Sequence, residues 1–413
     1  MTASPACRFC KTPLTHTLVD LGSTPLANSY LPVARTGAAV ERSFPLHARV
    51  CSKCFLVQVD DAVPPSEIFS DYAYFSSYSA SWIEHARRYA DMMRARFGLN
   101  EKSLVVEIAS NDGYLLQHFR QAGVPVLGIE PAANVAAAAI KKGVATEVMF
   151  FGETTARTLE ERGDTADLMA ANNVFAHVPE ILDFAKGFAV LLKPQGVATF
   201  EFPHVLNLIA DIQFDTIYHE HYSYLSLVSV EKILQAAGLR AFDVEELPTH
   251  GGSLRLFVCK REATHKATPR LDAARAKESA AKLDRLDGYT GFAPRVIDVK
   301  MNFMTFLAGA KLQGKRVAAY GAAAKGNTFL NTCGVTANDI VCVFDRSLEK
   351  QGKMLPGSHL PILAPERIGE IKPDYLLILP WNLASEIKSS MAGISEWGGR
   401  FVTALPDLVI SDT

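Results

Sequence analysis

The sequence predicts an α/β fold with two strand–loop–helix units that follow a small N-terminal module. In the first unit, the apolar residues 104–106 lead into a turn-prone segment, and Leu115, Leu116 and Phe119 then recur at helical spacing. A second unit with the same order begins at Arg316. Two Cys-x-x-Cys pairs lie within the first 54 residues. These three observations predict two α/β units behind a module that is too small to hold a large core.

Length and composition restrict the classes of protein to consider. The 413 residues suffice for two or three domains, and 48% hydrophobic with 21% charged residues is typical of a soluble globular enzyme. A net charge of −2 gives no electrostatic reason to expect nucleic acid or a membrane as partner. There is no run of eighteen apolar residues and no leader with a basic and then an apolar region, so we expect a cytoplasmic protein.

The first element is the pair of knuckles Cys7-x-x-Cys10 and Cys51-x-x-Cys54. In a reducing compartment such pairs indicate a metal site rather than disulfides, and four thiolates close a tetrahedral zinc site with no open position. The zinc is therefore expected to be structural. A redox role would need one Cys-x-x-Cys on a thioredoxin-like unit, which the sequence lacks. Residues 21–28, between the knuckles, are predicted to form a loop.

The second element is the loop after the first predicted strand, residues 109–113. This loop contains one glycine, Gly113, and one acid, Asp112, and a second acid, Glu107, precedes it. The negative charges of Glu107 and Asp112 would repel a pyrophosphate. About twenty residues on, a second apolar run ends in Glu130, where an acid can accept hydrogen bonds from the hydroxyls of a ribose. An acidic loop, followed by an acid that can bind the ribose hydroxyls, favours a cationic nucleoside cofactor, S-adenosylmethionine (SAM), over NAD.

Further strands complete the central sheet. Residues 144–151, 166–171 and 197–202 are predicted strands, and their alternation with helices implies a doubly wound sheet. Phe150 and Phe151 either cover an adenine or belong to the core. Asn172 and His177 follow the fourth strand, at the edge where ligands of open α/β sheets bind.

Residues 215–224, DTIYHEHYSY, combine two histidines, an acid and three tyrosines. One interpretation is a general base with an orienting acid and a phenol donor, because histidine titrates near neutrality. His219-x-His221 could instead bind a metal, although no third ligand lies at a standard spacing. A polar solvated loop is the third possibility.

In the second α/β unit, residues 316–320 enter the glycine-rich segment 321–328. This loop carries Lys325 and no acid, so it suits a phosphate group, whereas the first loop suits a cation. The GxxxxGK[ST] spacing of a P-loop is absent. Residues 261–310, which precede this unit, are charged and predicted to be helical.

The chain resembles the SAM-dependent C-methyltransferases of nucleotide-linked deoxysugars, of the C-3 methyltransferase type. The motifs are the paired CxxC knuckles, VVEIASNDGYLL, GIEP, ANNVFAHVP, FDTIYHEHYSYLS, HGGSLR, GAAAKGNT and PWN, and they span essentially the whole chain. The family usually has glycine where this chain has Ala109, a change that we expect to be tolerated.

The resemblance implies a fold, a reaction and a set of site residues. It implies a zinc-binding module (1–75), a Rossmann-like SAM methyltransferase domain (76–260), a helical connector (261–310) and a Rossmann-like substrate-binding domain (311–413). His221 would remove the proton next to a sugar ketone, Tyr218 would stabilise the enolate oxygen, and Glu220 would orient or polarise. The remaining implied residues are His177 and Tyr72 in the active site, Glu107, Ala109, Asn111, Gly113, Glu130 and Asn172 for SAM, and Gly321, Lys325 and Asn327 for the substrate.

Several alternatives remain at this stage. The same fold could methylate nitrogen or oxygen of a sugar nucleotide, or an NAD(P)-dependent oxidoreductase could use the second glycine-rich loop. A zinc-module binding protein with a degenerate core is a non-enzymatic alternative, which the intact Tyr218, Glu220 and His221 argue against. The sugar, the nucleotide and the oligomeric state are left open by the sequence, with a monomer favoured.

Overall fold

A computed structural model describes residues 5–32, 41–64, 76–78 and 80–412. It has the α/β class that the sequence predicts, with three main sheets. None of the helices in the described part of the chain has the length and apolar character that crossing a bilayer requires.

The N-terminal part of the chain forms antiparallel strands rather than loops. The strands are β1 (His16–Thr24), β2 (Leu31–Pro32), β3 (Phe44–Val50) and β4 (Val57–Val59). The prediction of a loop over residues 21–28 was therefore wrong for its first half, since β1 continues to Thr24 and pairs with β3 through two register shifts. Bulged pairing lets a segment with Gly22 and few apolar residues remain in a sheet.

The central region alternates strands and helices. Its elements are α1 (Ala80–Phe97), β5 (Val105–Ile108), α2 (Leu116–Gln121), β6 (Val126–Ile129), α3 (Ala133–Lys141), β7 (Thr146–Glu147), α4 (Glu153–Glu161), β8 (Ala166–Asn172), α5 (Ile181–Leu191), β9 (Leu192–Pro203), α6 (Val205–Ala210), β10 (Ser223–Tyr224), α7 (Leu227–Ala236), β11 (Leu239–Leu247) and β12 (Ser253–Lys260). The predicted third strand, 144–151, is only two residues long. Phe151 instead packs edge-on against Phe184 and Phe188 in the core, whereas Phe150 is half exposed.

The seven strands of the central sheet have the order β11-β12-β9-β8-β5-β6-β7. Strands β5 to β9 are parallel, and β12 runs antiparallel between β9 and β11. The chain winds outward from β5 through β6 to β7 and then returns to β8 on the other side. The switch point between β5 and β8 is where an open α/β sheet forms its ligand crevice.

The C-terminal region is a second doubly wound unit. Its elements are α8 (Pro269–Ala280), α9 (Phe292–Leu312), β13 (Val317–Tyr320), α10 (Ala324–Cys333), β14 (Val343–Phe344), β15 (Lys353–Met354), β16 (Ile362–Leu363), α11 (Ile368–Ile371), β17 (Tyr375–Ile378), α12 (Ala384–Ser390), β18 (Arg400–Thr403) and β19 (Val409–Ser411). The sheet order β16-β14-β13-β17-β18-β19 puts its switch point between β13 and β17. The glycine-rich loop and the Pro-Trp-Asn segment follow these two strands directly.

The three regions are tied together by strand pairing and by shared buried clusters. Strand β15 of the C-terminal region pairs with β2 of the N-terminal region. Strand β10 pairs with β4, so a segment of the central region completes the N-terminal sheet. One cluster of buried apolar side chains includes Leu46 of β3, Phe214 before β10 and Phe329 of α10. The segment between α6 and α7, which carries the histidine-rich motif, is therefore held by the first and third regions as well as by its own.

Candidate active site

The loop after β5 has the left-handed backbone that its turn residues predict. Ala109, Asn111 and Gly113 have φ of 52°, 50° and 75°. The Asn111 and Ala132 backbone N–H groups donate to the two carboxylate oxygens of Glu130, each at 2.9 Å. Glu130 thus holds this loop against the end of β6 and still has lone pairs for a further donor, because each carboxylate oxygen accepts two hydrogen bonds.

Buried acceptor atoms without partners surround this crevice. No described residue donates a hydrogen bond to Glu107 Oε2, Asp112 Oδ1 or Asn172 Oδ1. Burial raises the pKa of Glu107 well above its usual value, and the carboxyls of Glu130 and Asp112 raise it further. A set of desolvated acceptors is completed by a ligand that brings positive charge and hydrogen-bond donors. The ammonium and ribose hydroxyls of SAM supply both, so the residues fit the cofactor that the sequence predicts.

The histidine-rich segment forms a hydrogen-bonded pair of side chains. His221 Nδ1 lies 3.0 Å from the Thr216 carbonyl oxygen, which can only accept, so this nitrogen carries the proton. His221 Nε2 then accepts from the Tyr218 hydroxyl at 2.8 Å. Burial lowers the pKa of His221 well below its usual value, and the nearby His177 adds to the effect. His221 is therefore a neutral imidazole whose basic nitrogen faces a phenol.

His177 packs beside this pair of side chains. Its ring centroid lies 4.6 Å from that of His221, and its Nδ1 lies 2.8 Å from the Glu220 carbonyl oxygen. The Glu220 side chain, in contrast, accepts from Asn28 Nδ2 at 2.7 Å and makes no described contact with His221. The backbone carbonyl of Thr216 therefore orients His221. The role of Glu220 in orienting or polarising stays a prediction.

His219 and Tyr72 are the remaining candidates from the sequence in this region. His219 is buried, and its Nε2 lies 3.2 Å from the Phe44 and Pro45 carbonyl oxygens of β3, so it anchors the segment and does not share a metal with His221. Among the described residues, the one cluster that could hold a metal is the cysteine cluster. Tyr72 lies outside the described residues.

The glycine-rich loop of the second unit presents its lysine to the same region. Lys325 Nζ donates to Asn382 Oδ1 at 2.6 Å and lies 4.6 Å from the Trp381 ring centroid. Its charge contributes to the lowered pKa of both His221 and His250, so it lies within electrostatic range of both rings. Gly321 has φ of 91°, and a Cβ there would lie 2.4 Å from Pro380 Cδ. The backbone of this loop therefore requires glycine, and its one cation lies against the Asn382 amide and the Trp381 ring.

Asn327, the third substrate candidate, is buried against the N-terminal region. It is only 1% exposed, and its Nδ2 lies 3.4 Å from the Ala27 carbonyl oxygen. In this position Asn327 joins α10 to the N-terminal region, while its Oδ1 is buried and accepts no hydrogen bond from the described residues. The expected substrate contact stays a prediction.

Sequence reasoning did not single out Asp215, His250 or Trp381 as site residues. Asp215 is buried and its Oδ2 accepts from Trp381 Nε1 at 2.8 Å, while burial raises the pKa of Asp215 to about 6. The His250 ring lies 5.6 Å from that of Trp82, and its φ of 55° marks a strained backbone of the kind found near ligands. The HGGSLR and PWN motifs were the available signal, since both combine turn residues with an aromatic or imidazole ring.

The four cysteines of the N-terminal knuckles converge. Their sulfur atoms all lie within 4.8 Å of one another, with Cys7 and Cys54 3.5 Å apart and Cys10 and Cys51 3.4 Å apart. Zinc–sulfur bonds of about 2.3 Å in a tetrahedron place sulfurs about 3.8 Å apart, so the cluster fits zinc.

Comparison with known protein families matches three successive parts of the chain. Family models match a zinc binding domain at residues 7–69, a methyltransferase domain at 82–244 and a C-methyltransferase C-terminal domain at 248–406. The C-methyltransferase NovU of Streptomyces niveus is 37% identical over 401 residues, which cover 97% of this chain and 95% of that enzyme.

More distant relatives match the central region. The ubiquinone biosynthesis O-methyltransferase of Rhodopseudomonas palustris is 29% identical over 157 residues and covers 33% of this chain and 60% of that enzyme. Magnesium protoporphyrin IX methyltransferase from Synechocystis, solved with bound SAH, is 16% identical at a TM-score of 0.35 and covers 43% of this chain and 83% of that chain. A likeness this distant carries no argument about the substrate. Because the similarity to NovU runs through all three regions, the chain belongs to the C-methyltransferases and is a SAM-dependent enzyme with an N-terminal zinc-binding domain.

Proposed function

We propose that this C-methyltransferase acts on a keto-deoxysugar nucleotide, and that His221 removes the proton from the carbon next to the ketone. The observation that carries the proposal is the Tyr218–His221 pair, in which Thr216 fixes the tautomer and leaves Nε2 as the acceptor. Carbon is a poor nucleophile until an adjacent ketone lets it lose a proton. An enzyme that methylates such a carbon therefore needs a neutral base and a donor for the enolate oxygen.

Two side chains divide these tasks. In the absence of substrate the Tyr218 hydroxyl donates to His221 Nε2. A substrate carbonyl that accepts from Tyr218 would free Nε2 to take the α-proton, and the phenol would then stabilise the negative charge that develops on oxygen. The acidic crevice after β5 would hold SAM, which would supply an electrophilic methyl group to the nucleophilic carbon, with S-adenosylhomocysteine as the leaving group. The low pKa of His221 keeps it neutral, and therefore able to accept a proton, at neutral pH.

The second unit supports a nucleotide-linked substrate. Lys325 is a buried cation whose pKa is lowered by burial, and a phosphate group would relieve that desolvation. It lies within electrostatic range of His221, so a diphosphate at Lys325 and a sugar at His221 could belong to one molecule. NovU, whose name states only a C-methyltransferase, is consistent with carbon rather than nitrogen or oxygen as the acceptor.

Proton exchange tests the base separately from methyl transfer. A keto-deoxysugar nucleoside diphosphate is incubated in D2O with the enzyme and S-adenosylhomocysteine, and loss of the α-proton signal is followed by NMR. We expect exchange with wild type and a loss of about 10²- to 10⁴-fold in His221→Asn, the range for general base catalysis. Tyr218→Phe should slow exchange as well.

Two controls make the result decisive. His221→Asn must retain the wild-type affinity for S-adenosylhomocysteine, because the acidic crevice is unchanged. With SAM present, wild type must yield a product whose new methyl group is bonded to the carbon that exchanged. Exchange at the wild-type rate in His221→Asn would remove this residue as the base.

A further inference from the structure

The turn between β11 and β12 holds a histidine in a strained backbone conformation. His250 has φ of 55° and ψ of 23°, and Gly251 and Gly252 follow with φ of 85° and 110°. Glycine adopts these left-handed conformations freely, whereas a residue with a Cβ is strained there. Strained residues persist only where their surroundings hold them, and they are concentrated at ligand sites. The ring of His250 is therefore a candidate for a function.

The turn is packed on both sides, so its backbone has no room to relax. A Cβ on Gly251 would lie 2.3 Å from Trp381 Cη2, and a Cβ on Gly252 would lie 2.1 Å from Asn207 Nδ2. The Gly251 carbonyl oxygen also accepts a hydrogen bond from Gln213 Nε2 at 2.9 Å. The C-terminal unit and the region of α6 thus fix the turn, and with it the place of the imidazole.

The neighbours of the His250 ring connect it to both halves of the site. The ring lies edge-on to Trp82 with centroids 5.6 Å apart, and Trp82 stacks on Tyr114, the residue that follows the loop after β5. The charge of Lys325 affects the pKa of His250, and His250 in turn affects the pKa of His221. The imidazole is therefore one ring away from the cofactor crevice and within electrostatic range of the lysine and the base.

The chemistry of this ring suits an uncharged polar group. Burial and the nearby Lys325 lower the pKa of His250 to about 4, and no hydrogen bond among the described residues contributes to that shift. Neither ring nitrogen is one of the fully enclosed, unpaired polar atoms of the described residues, so a ligand can reach the ring. A neutral imidazole offers one donor and one acceptor, which is the set that a hydroxyl group matches.

We propose that His250 binds a ring hydroxyl of the sugar and so holds the carbon next to the ketone in front of His221. This assignment rests on the function proposed above and names a residue that selects the sugar. A phosphate near Lys325 and a ketone at Tyr218 leave the rest of the sugar to be recognised by a neutral group. A sugar without that hydroxyl would leave the imidazole unpaired in a partly buried site, which lowers its binding.

Exchange kinetics with altered sugars test the contact. In the D2O assay described above, kcat and KM are measured for the keto-deoxysugar nucleoside diphosphate and for analogues that each lack one ring hydroxyl. With wild type, one analogue should lose about tenfold or more in kcat/KM. His250→Gly should lose a similar factor with the complete substrate and should process that analogue as wild type does. His250→Asn, which tolerates the left-handed backbone and keeps a donor and an acceptor, should recover part of the loss.

Thermal unfolding distinguishes a binding role from a purely structural one. His250→Gly removes the strain, so it should unfold at or above the wild-type temperature although it is a poorer enzyme. Lys372→Gly is the matched control, because Lys372 is exposed, has φ of 46° and precedes β17, at the edge of the sheet away from Trp381. That variant should also unfold at or above the wild-type temperature, with unchanged exchange kinetics.

The outcomes separate this assignment from the function on which it rests. If His250→Gly discriminates between the substrate and every analogue as wild type does, the hydroxyl contact is overturned. The nucleotide-sugar substrate and the base then still stand, provided that His221→Asn abolishes exchange. If wild type exchanges no keto-deoxysugar nucleotide, both proposals fail together.

Discussion

Glu220 couples the stability of the fold to the pH of the solution. Its side chain is 5% exposed, and burial raises its pKa from 4.5 to about 7, against the opposing effect of the hydrogen bond from Asn28. The folded state therefore holds this proton more tightly than the unfolded chain does. Stability is lost as the pH rises through the window between these two values, and the loss is complete above about pH 7. This pKa difference corresponds to about 3 kcal/mol.

Glu220→Gln should remove that loss, because an amide oxygen can still accept from Asn28 but carries no charge. We expect urea unfolding of wild type to show a larger decrease in free energy between pH 5 and pH 8 than the variant does, by up to about 3 kcal/mol. Burial lowers the pKa of His177 to about 4, so His177 makes the protein less stable as the pH falls below 6.5. This effect is the same in wild type and in the variant, so it cancels in the comparison. A difference between the two proteins that does not change with pH would contradict the argument.

Ala109 is a second residue that lowers the stability of the fold, because its backbone conformation is strained. Its φ of 52° is in the left-handed region, where a Cβ clashes with the backbone and glycine is the residue without that cost. Ala109→Gly should stabilise the protein by about 0.5–1 kcal/mol. Ala137→Gly is the control, because this exposed residue of α3 has no such strain and should lose about 1 kcal/mol. Thermal unfolding of both variants should show shifts of opposite sign.

At the scale of elements, the crevice depends on close packing between the loop after β5 and strand β6. A Cβ on Gly128 of β6 would lie 2.4 Å from Ser110 Oγ and 3.0 Å from Thr146 Oγ1. Ser110 is fully buried, so it has no space into which to move. The small size of Gly128 therefore determines how closely the loop after β5 approaches β6.

Gly128→Ala should displace the loop and weaken S-adenosylhomocysteine binding about tenfold or more, since overpacking of this kind costs about 1–3 kcal/mol. Gly309→Ala is a matched control, because Gly309 lies in α9 with open space around it. That variant should bind S-adenosylhomocysteine as wild type does in calorimetry. Equal affinity in the two variants would show that Ser110 and the loop adapt without cost.

Elements and local contacts were readable from the sequence, but long-range contacts were not. The apolar runs before Glu107 and Asn172 predicted β5 and β8, because buried parallel strands have continuous apolar sequences. Tyr218 and His221 are three residues apart, so their pairing follows from local spacing. Asn28 and Glu220 are separated by 192 residues, and nothing in either segment indicates their hydrogen bond. The short β7 shows the same limit, since its two residues are set by pairing with β6.

At the scale of the whole molecule, a short series of contacts connects the zinc-binding knuckles to the Tyr218–His221 pair. Gln58 of β4 donates from Nε2 to Cys7 Sγ at 3.3 Å and accepts at Oε1 from the Arg8 backbone N–H at 2.8 Å. In the sheet Gln58 is also the register partner of Ser223 in β10. His221 precedes Ser223 by two residues. The cysteine cluster therefore determines the position of the strand that follows the proposed base.

Removal of zinc should impair catalysis more than it impairs cofactor binding. The acidic crevice is built from β5, β6 and β8, which do not pair with the N-terminal sheet, whereas β10 does. After treatment with a chelator, or in Cys54→Ser, we expect kcat to fall about tenfold or more, while the dissociation constant for S-adenosylhomocysteine changes by less than about threefold. Displacement of a catalytic group by about 1 Å is enough for such a loss.

Cys342→Ser is the control that distinguishes the effect of losing zinc from a general effect of replacing a buried cysteine. Cys342 is buried in the C-terminal unit, outside the cluster, and its replacement should leave the zinc content and kcat close to wild type. A zinc-free enzyme with full kcat would break the proposed link from the knuckles through Gln58 to β10. Loss of kcat and of cofactor affinity in equal measure would instead mean that the metal supports the entire fold. The unequal loss is the result that the pairing of β4 with β10 predicts.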